Sequence, residues 1–223
     1  MASFYLRLIM DAAAVLDVGC GTGELLCRAR RAGHRGELAG LDPAPAMLAI
    51  ARGKRSDVTW LPGSAEDLRL DRRFELVTMT GHAFQELLDD DAVRGALSAF
   101  HRHLVPGGRL VFETRNPAAR AWERWKPSLM STTVRSPAGL AYDVSFDSTG
   151  TRPPDLVDYT VTFRSRASGD TVISAGTLRF IDPLHLRTQL AAAGFRLDAC
   201  YGDWDRTDLS PASPEIIIVA TRP

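Results

Sequence analysis

The stretch VLDVGCGTGE, residues 15–24, joins an apolar run to three closely spaced glycines. The apolar run, which ends near Val18, predicts a buried β-strand, and the residues around and after the last glycine predict a helix. Gly19, Gly21 and Gly23 lie in the turn between them, where the lack of Cβ atoms lets the backbone approach a ligand closely. Ligands of open parallel sheets bind at such turns. The stretch therefore predicts a cofactor site at the carboxyl end of the first strand.

Apolar runs alternate with helical patterns through residue 116, which is typical of a parallel sheet covered by helices on both faces. Two further apolar runs, RLDACYG and EIIIVATR, close the chain. The pattern predicts an α/β fold, a doubly wound, seven-stranded and mostly parallel sheet. Its other predicted strands lie at 15–19, 37–42, 58–61, 74–80 and 109–115.

Residues 127–182 break this alternation and contain no long helical pattern. Two strictly alternating runs at 156–165 and 171–180 flank a turn, so they predict a β-hairpin. The run YDVSF (142–146) predicts a third antiparallel strand, and the turn-rich stretch after it, DSTGTRPPD, predicts a mobile loop. We expect one domain over residues 1–223, with 127–182 as a small antiparallel β subdomain inserted after the fifth strand.

Composition limits the function. Acidic and basic side chains balance at 27 each, so nothing attracts a nucleic acid or an anionic membrane over long range. Three cysteines without paired metal-ligand spacing predict no disulfide framework and no metal site. Arg7 and Asp11 interrupt the apolar N-terminal stretch, which excludes a membrane span there. We expect a cytoplasmic protein that binds neither nucleic acid nor membrane.

Asp42 ends the second predicted strand, where its carboxylate can accept hydrogen bonds from both ribose hydroxyls of a nucleoside. It can also cap the helix that starts near Pro45. A dinucleotide site spaces its glycines G-x-G-x-x-G and places a pyrophosphate at the helix N-terminus. Here the spacing is G-C-G-T-G, and Glu24 would repel phosphate while suiting an amine and a sulfonium. These features favour S-adenosylmethionine over NAD.

Five stretches of the chain resemble the motifs of the class I (Rossmann-like) S-adenosylmethionine-dependent methyltransferases. VLDVGCGTGE, GLDPAPAML and PGSAEDL are similar to the first three motifs, and FELVTMTGHAF and LVPGGRLVFE to the fourth and fifth. The details resemble an uncharacterised bacterial subgroup, and the β-insert resembles that of small-molecule N-methyltransferases. The resemblance implies methyl transfer to a nitrogen or oxygen of a small-molecule acceptor, with S-adenosylhomocysteine as product. An NAD(P)-dependent oxidoreductase and a non-catalytic S-adenosylmethionine-binding module remain the alternatives.

The resemblance also implies a set of cofactor-binding residues. The family usually has an acidic residue that accepts from the adenine amino group where this chain has Ser64, so the backbone of Ala65 or the side chain of Glu66 is the alternative partner. The segment before the first strand is shorter than in the family, and we expect Phe4 and Tyr5 to form a partial lid. The implied cofactor-binding residues are Asp17, Gly19, Cys20, Gly21, Thr22, Gly23, Asp42, Pro43, Met47, Ser64, Ala65, Glu66 and Thr80.

His82 follows the fourth predicted strand, beside the expected position of the transferable methyl group. It is the candidate catalytic base or acceptor-orienting group, and an ordinary loop histidine is the alternative. Phe84 could also belong to the core, Trp122 and Trp125 could pack the insert onto the core, and Trp204 could belong to a surface loop with local ion pairs. The insert itself would form part of the acceptor pocket or a contact in a homodimer. The candidate acceptor-binding residues are Phe84, Gln85, Arg115, Asn116, Trp122, Trp125 and Trp204.

Overall fold

A computed structural model describes residues 1–136 and 138–223. The helices of this part are α1 (Ala2–Met10), α2 (Glu24–Arg31), α3 (Pro45–Lys54), α4 (Asp90–His103) and α5 (Pro183–Ala192). The strands are β1 (Ala14–Val18), β2 (Glu37–Asp42), β3 (Thr59–Pro62), β4 (Phe74–Met79), β5 (Leu104–Arg115), β6 (Ser131–Arg135), β7 (Ala141–Arg152), β8 (Leu156–Ser165), β9 (Thr171–Arg179), β10 (Arg196–Tyr201) and β11 (Glu215–Thr221).

In the described part of the chain, the main sheet has seven strands in the order β10-β11-β5-β4-β1-β2-β3. β11 runs antiparallel to both β10 and β5, while the other pairings are parallel. The predicted fold class is confirmed. β1 has β2 on one side and β4 on the other, so the strand order reverses at β1. A crevice opens at the carboxyl ends of the strands at such a reversal.

Helices cover both faces of this sheet and bury an apolar core on each. Leu26 of α2 and Leu48 of α3 pack with Tyr5 of α1 on one face. Phe100 of α4 and Leu186 of α5 pack on the other. Strands enclosed on both faces need continuous apolar runs, which is why β1 and β4 read that way in the sequence. In residues 1–136 and 138–223, no helix is both long and apolar enough to cross a bilayer.

The insert is an antiparallel sheet in the order β6-β7-β8-β9. The hairpin of β8 and β9 is where the alternating pattern predicts it. β6 was not predicted, because its residues STTVR are mostly polar and all exposed. The predicted loop DSTGTRPPD differs as well. β7 continues to Arg152 and pairs with β8 through an irregularity between Ser148 and Gly150, so most of that stretch is strand. The subdomain limits 127–182 stay a prediction.

Candidate functional site

The glycine-rich turn after β1 has a backbone that other residues rarely adopt. Gly19, Gly21 and Gly23 have φ angles of 68°, 55° and 71°. A Cβ on Gly23 would stand 2.2 Å from the Trp60 ring. A Cβ on Gly21 would meet no described atom within 4 Å. Packing on Trp60 thus requires glycine at position 23, whereas Gly21 leaves open space beside the turn.

Asp42 closes this turn against the start of α3. One carboxylate oxygen accepts from the Gly21 backbone N–H at 2.7 Å and the other from the Ala44 N–H at 2.8 Å. The predicted helix-capping role of Asp42 is wrong, because Ala44 is the N-cap residue of α3 and no side chain among the described residues caps that helix. Each carboxylate oxygen keeps a second lone pair that can accept a further hydrogen bond.

Two cavities flank the turn at the carboxyl edge of the sheet. Cavity A has a volume of about 580 Å³. Cavity B has a volume of about 260 Å³. They share Cys20, Thr80 and Gly81 as walls. The residues lining cavity A are Val18, Gly19, Cys20, Asp42, Pro43, Gly63, Ser64, Ala65, Glu66, Met79, Thr80, Gly81, Ala83, Glu86 and Leu87. Those lining cavity B are Met1, Tyr5, Asp17, Cys20, Thr22, Glu24, Leu25, Arg28, Thr80 and Gly81.

Asp17 gives cavity B an unsatisfied negative group. Its Oδ1 accepts from the Thr78 hydroxyl at 2.8 Å, while the buried Oδ2 has no hydrogen-bond partner among the described residues. Burial raises the pKa of the Asp17 carboxyl to about 7. A cationic amine in cavity B would supply both the missing donor and the missing charge.

Glu24, the first residue of α2, also lines cavity B, but its charge is already compensated. Its carboxylate pairs with Arg28, Arg31 and Lys54. Burial alone would raise the pKa of Glu24, but hydrogen bonds from these three cations hold it below its ordinary value. The expected repulsion of phosphate by Glu24 is therefore weaker than the sequence suggests, and Asp17 is the uncompensated carboxylate of this cavity.

Cavity C, of about 240 Å³, lies between the carboxyl edge of the main sheet and the insert. It shares Gly81, Ala83 and Glu86 with cavity A. Gly81 lines all three cavities, so A, B and C meet at the residues directly after β4. The residues lining cavity C are Gly81, His82, Ala83, Glu86, Arg115, Trp125, Met130, Phe146, Tyr159 and Leu178.

Two carboxylates hold His82 in the wall of cavity C. The backbone of His82 has a φ of 62°, and its N–H donates to Glu113 at 3.1 Å. Its ring Nε2 lies 2.9 Å from Glu215. Glu113 is fully buried and also accepts from the Tyr5 hydroxyl, so burial raises the pKa of both groups. Tyr5 thus joins the N-terminal helix to the residues around His82.

The structure brings most of the predicted cofactor residues together around cavities A and B. Gly21, Gly23 and Met47 do not line either cavity. Met47 is 43% exposed on α3, and the Ser64 hydroxyl donates to Asp67 at 2.9 Å. The predicted cofactor residues that line a cavity are Asp17, Gly19, Cys20, Thr22, Asp42, Pro43, Ser64, Ala65, Glu66 and Thr80.

The predicted acceptor residues divide into two groups. Arg115 and Trp125 line cavity C beside His82, with the guanidinium 5.1 Å from the centroid of the Trp125 ring. Phe84, in contrast, is core, because its ring stacks on Phe112 at 4.2 Å. Gln85 is buried too. It donates to the Arg179 carbonyl and accepts from Arg115, so it holds the wall of the cavity from behind.

Three more predicted acceptor residues have structural contacts instead. Asn116 donates to the backbone carbonyls of Ser210 and Ser213, which fixes the segment before β11. Trp122 packs edge-on against Phe180 with a centroid distance of 4.5 Å. Trp204 packs against Phe4 and Tyr5 of α1. The expected lid residues Phe4 and Tyr5 are buried beside this indole, and Tyr5 also lines cavity B. None of the three acceptor candidates lines cavity C.

Several lining residues escaped the sequence analysis. Phe146 of β7 pairs with Val161 of β8, and Tyr159 is two residues from Val161, so Phe146 and Tyr159 lie on the same face of the insert. The alternating pattern of these strands is the signal that could have found them. Glu86 carries no such signal, and neither does Glu215, which contacts His82 without lining cavity C. They reach the site because a 3₁₀ turn at Ala83–Glu86 follows β4 and because β11 begins beside it.

Comparisons with known proteins find methyltransferases. Residues 15–108 match the family described as methyltransferase domain. A 2-phytyl-1,4-naphtoquinone methyltransferase of Thermosynechococcus vestitus is 38% identical over 133 residues, 56% of this chain and 56% of that protein. A dTDP-3-amino-3,4,6-trideoxy-alpha-D-glucopyranose N,N-dimethyltransferase of Streptomyces venezuelae is 35% identical over 103 residues, 46% of this chain and 43% of that protein. The chain spans about half the length of the curated relatives it matches.

Solved structures match the fold over the whole chain. The CcbJ methyltransferase of Streptomyces caelestis has a TM-score of 0.78 at 21% identity, covering 100% of this chain and 94% of that one. CalS10, an amino pentose methyltransferase of Micromonospora echinaspora solved with bound S-adenosylmethionine, has a TM-score of 0.72 at 27% identity, covering 100% of this chain and 90% of that one. The second sheet is thus part of a fold already seen in methyltransferases.

Proposed function

We propose that this chain, which carries a class I S-adenosylmethionine-dependent methyltransferase domain, transfers a methyl group to a nitrogen or oxygen of a small-molecule acceptor. The observation that carries the proposal is the meeting of cavities A, B and C at Gly81. A donor bound across A and B would face an acceptor bound in C without crossing the protein.

The residues around cavities A and B suit S-adenosylmethionine. The ribose hydroxyls would donate to Asp42, whose oxygens retain free lone pairs. The ammonium of the methionine portion would pair with the unsatisfied Oδ2 of Asp17. The adenine ring would occupy cavity A near Ser64, Ala65 and Glu66. Asp17 carries the charge opposite to that of the ammonium group, and Glu24 is already paired. Asp17 is therefore the residue that favours this cofactor over a dinucleotide.

Bound S-adenosylmethionine supplies an electrophilic methyl group on a sulfonium. The protein has to align the acceptor with that carbon, and such alignment contributes on the order of 7–11 kcal/mol to lowering a barrier. His82 in the wall of cavity C would orient the acceptor and take its proton, with Glu215 holding the imidazole. The catalytic role of His82 stays a prediction, which this geometry supports.

The acceptor class rests on the shape of cavity C and on the relatives. A cavity of about 240 Å³ with aromatic walls admits a small molecule. The relatives named for amino sugars and naphthoquinones act on small molecules. A cytoplasmic location and the lack of nucleic-acid or membrane binding stay predictions from composition.

We also propose a homodimer formed through the insert. Val144, Phe163 and Val172 are aligned across β7, β8 and β9 and so lie on the face of the insert that also carries Phe146 and Tyr159 of cavity C. Val144 is buried, while Phe163 is 37% and Val172 is 66% exposed. A second copy would present the same apolar strip, as a two-fold interface requires. Light scattering should give a dimer that Val172→Asp dissociates, while Thr171→Asp on the opposite face leaves it intact. A monomeric wild type would contradict this proposal.

Thermal unfolding with S-adenosylhomocysteine, with NAD and without ligand tests the proposed cofactor. A ligand at 100 times its dissociation constant stabilises by about 2.7 kcal/mol. For a domain of this size the unfolding midpoint should rise by roughly 5–11 °C. We expect the rise with S-adenosylhomocysteine alone. A rise with NAD alone would overturn the proposal.

A further inference from the structure

Glu86 lies at the boundary between cavity A, proposed to hold the cofactor, and cavity C, proposed to hold the acceptor. It ends the 3₁₀ turn Ala83–Glu86 that follows β4, and it lines both cavity A and cavity C. Only Gly81 and Ala83 share that position, and neither carries a polar side chain. An acceptor that reaches a methyl group at this boundary would therefore lie beside Glu86.

The carboxylate of Glu86 has no hydrogen-bond donor or cation paired with it within residues 1–136 and 138–223. The cation in the same cavity, Arg115, is engaged elsewhere, since it donates to Gln85 at 2.7 Å and lies over the Trp125 ring. His82 is paired with Glu215. Glu86 as a residue is exposed, and the partial burial of its carboxyl at the cavity wall raises its pKa. Glu86 is thus an exposed lining carboxylate of cavity C with no cation of the described chain paired to it.

The surroundings of Glu86 fit a cation attached to an apolar body. Trp125 and Tyr159 line the cavity with aromatic faces, and Met130, Phe146 and Leu178 add apolar surface. Aromatic faces attract cations as well as apolar groups. Burial and then the charge of Glu86 raise the pKa of the Tyr159 phenol.

We infer that Glu86 is a specificity-determining residue that selects an amine acceptor by binding its ammonium group at the boundary of cavities A and C. The inference rests on the proposed function and narrows its acceptor from nitrogen or oxygen to an amine. The amine must be neutral to attack, so its ammonium proton passes to a base before or during transfer. Glu86 positions the nitrogen beside His82, the group placed to receive that proton.

Three probes that share a phenyl group and differ in their polar group separate the effect of ligand charge from that of ligand shape. Phenethylamine carries an ammonium, 2-phenylethanol a hydroxyl and 3-phenylpropionate a carboxylate. Their binding to the full chain saturated with S-adenosylhomocysteine can be measured by ligand-observed NMR titration. We expect phenethylamine to bind at least about tenfold more tightly than 2-phenylethanol, since a charge-assisted hydrogen bond is roughly twice as strong as a neutral one. 3-Phenylpropionate should bind most weakly.

The Glu86→Gln variant should lose the preference for the amine over the alcohol, because it keeps the shape of the side chain and removes the charge. Glu123→Gln, on an exposed glutamate paired with Arg120 outside the three cavities, is the matched control and should keep the preference. An unchanged preference in Glu86→Gln would overturn the inference. So would tighter binding of 3-phenylpropionate, or no saturable binding of phenethylamine by the wild type.

The stabilisation by S-adenosylhomocysteine distinguishes this inference from the proposed function. If Glu86→Gln is stabilised as much as the wild type, the variant is folded and its cofactor site is intact. Loss of the amine preference in that sample then supports the role of Glu86. If the wild type is not stabilised by S-adenosylhomocysteine, the proposed function itself fails, whichever probe binds.

Discussion

Nε2 of His82 lies 2.9 Å from a carboxylate oxygen of Glu215, so the residues after β4 are tied to the first residue of β11. The backbone of His82 has a φ of 62°, a conformation that costs energy for a residue with a side chain. The hydrogen bond from its N–H to the buried Glu113 offsets that cost. His82 is therefore held in the wall of cavity C through its backbone N–H and through Nε2 of its ring.

Replacing His82 separates a catalytic role from a packing role. We expect His82→Ala to lower kcat by about 10²–10⁴, the range for loss of a general acid or base, with the dissociation constant of S-adenosylhomocysteine unchanged. Glu215→Gln should lower kcat by less, because it removes only the group that orients the ring. Full turnover by His82→Ala with an identified acceptor would exclude the catalytic role.

Replacing Asp42 tests the ribose contact. Asp42→Ala removes the acceptor for the ribose hydroxyls and also frees the Gly21 N–H. Hydrogen bonds to a charged group contribute about 1.5–3 kcal/mol each, so the affinity for S-adenosylhomocysteine should fall by on the order of 10²-fold. Calorimetric titration measures this, with Asp91→Ala, whose side chain is 88% exposed on α4, as the control. Equal affinities for Asp42→Ala and the wild type would refute the assignment.

The pKa of Asp17, raised by burial to about 7, predicts two pH effects of opposite sign. The folded chain binds this proton more tightly than the unfolded chain, so the free energy of unfolding should decrease as pH rises from about 4 to about 7. An ammonium ligand prefers the ionised carboxylate, so the affinity for S-adenosylhomocysteine should increase over the same range. Unfolding curves and titrations between about pH 5 and pH 8 measure both effects.

Asp17→Asn is the matched control for these pH effects. It keeps the side-chain shape and cannot ionise, so the pH dependence of both quantities should flatten over that range. The affinity of this variant should also be lower than that of the wild type at about pH 8, where Asp17 is ionised. An affinity for S-adenosylhomocysteine that falls with rising pH in the wild type would rule out an ammonium contact at Asp17.

The cofactor side of the site could be predicted because its residues are close in sequence. The turn after β1 and the end of β2 are each short segments, and parallel pairing brings Asp17 and Gly40 into register. Most predicted residues therefore line cavity A or B. Met47 does not, because the side of α3 on which it lies is exposed. Its position in the sequence motif does not predict this exposure.

The acceptor side could not be predicted in the same way, since cavity C draws residues from positions 81 to 178. In the short turn after β4, Phe84 enters the core while Glu86 lines the cavity, and the sequence does not distinguish these directions. Gly150 and the two prolines after it suggested a loop, whereas β7 crosses Gly150 as an irregular strand. Long-range packing decides each of these cases.

Substituting Gly23 tests the physical reason for the glycine-rich turn. Gly23→Ala places a Cβ 2.2 Å from the Trp60 ring at a φ of 71°, so it should destabilise the fold by more than about 1 kcal/mol. Gly53→Ala is the matched control, because it lies in α3 and its Cβ would meet no described atom within 4 Å. That variant should stabilise by about 0.4–1 kcal/mol. Urea unfolding measures both, and equal stability of Gly23→Ala and the wild type would mean that Trp60 moves aside without cost.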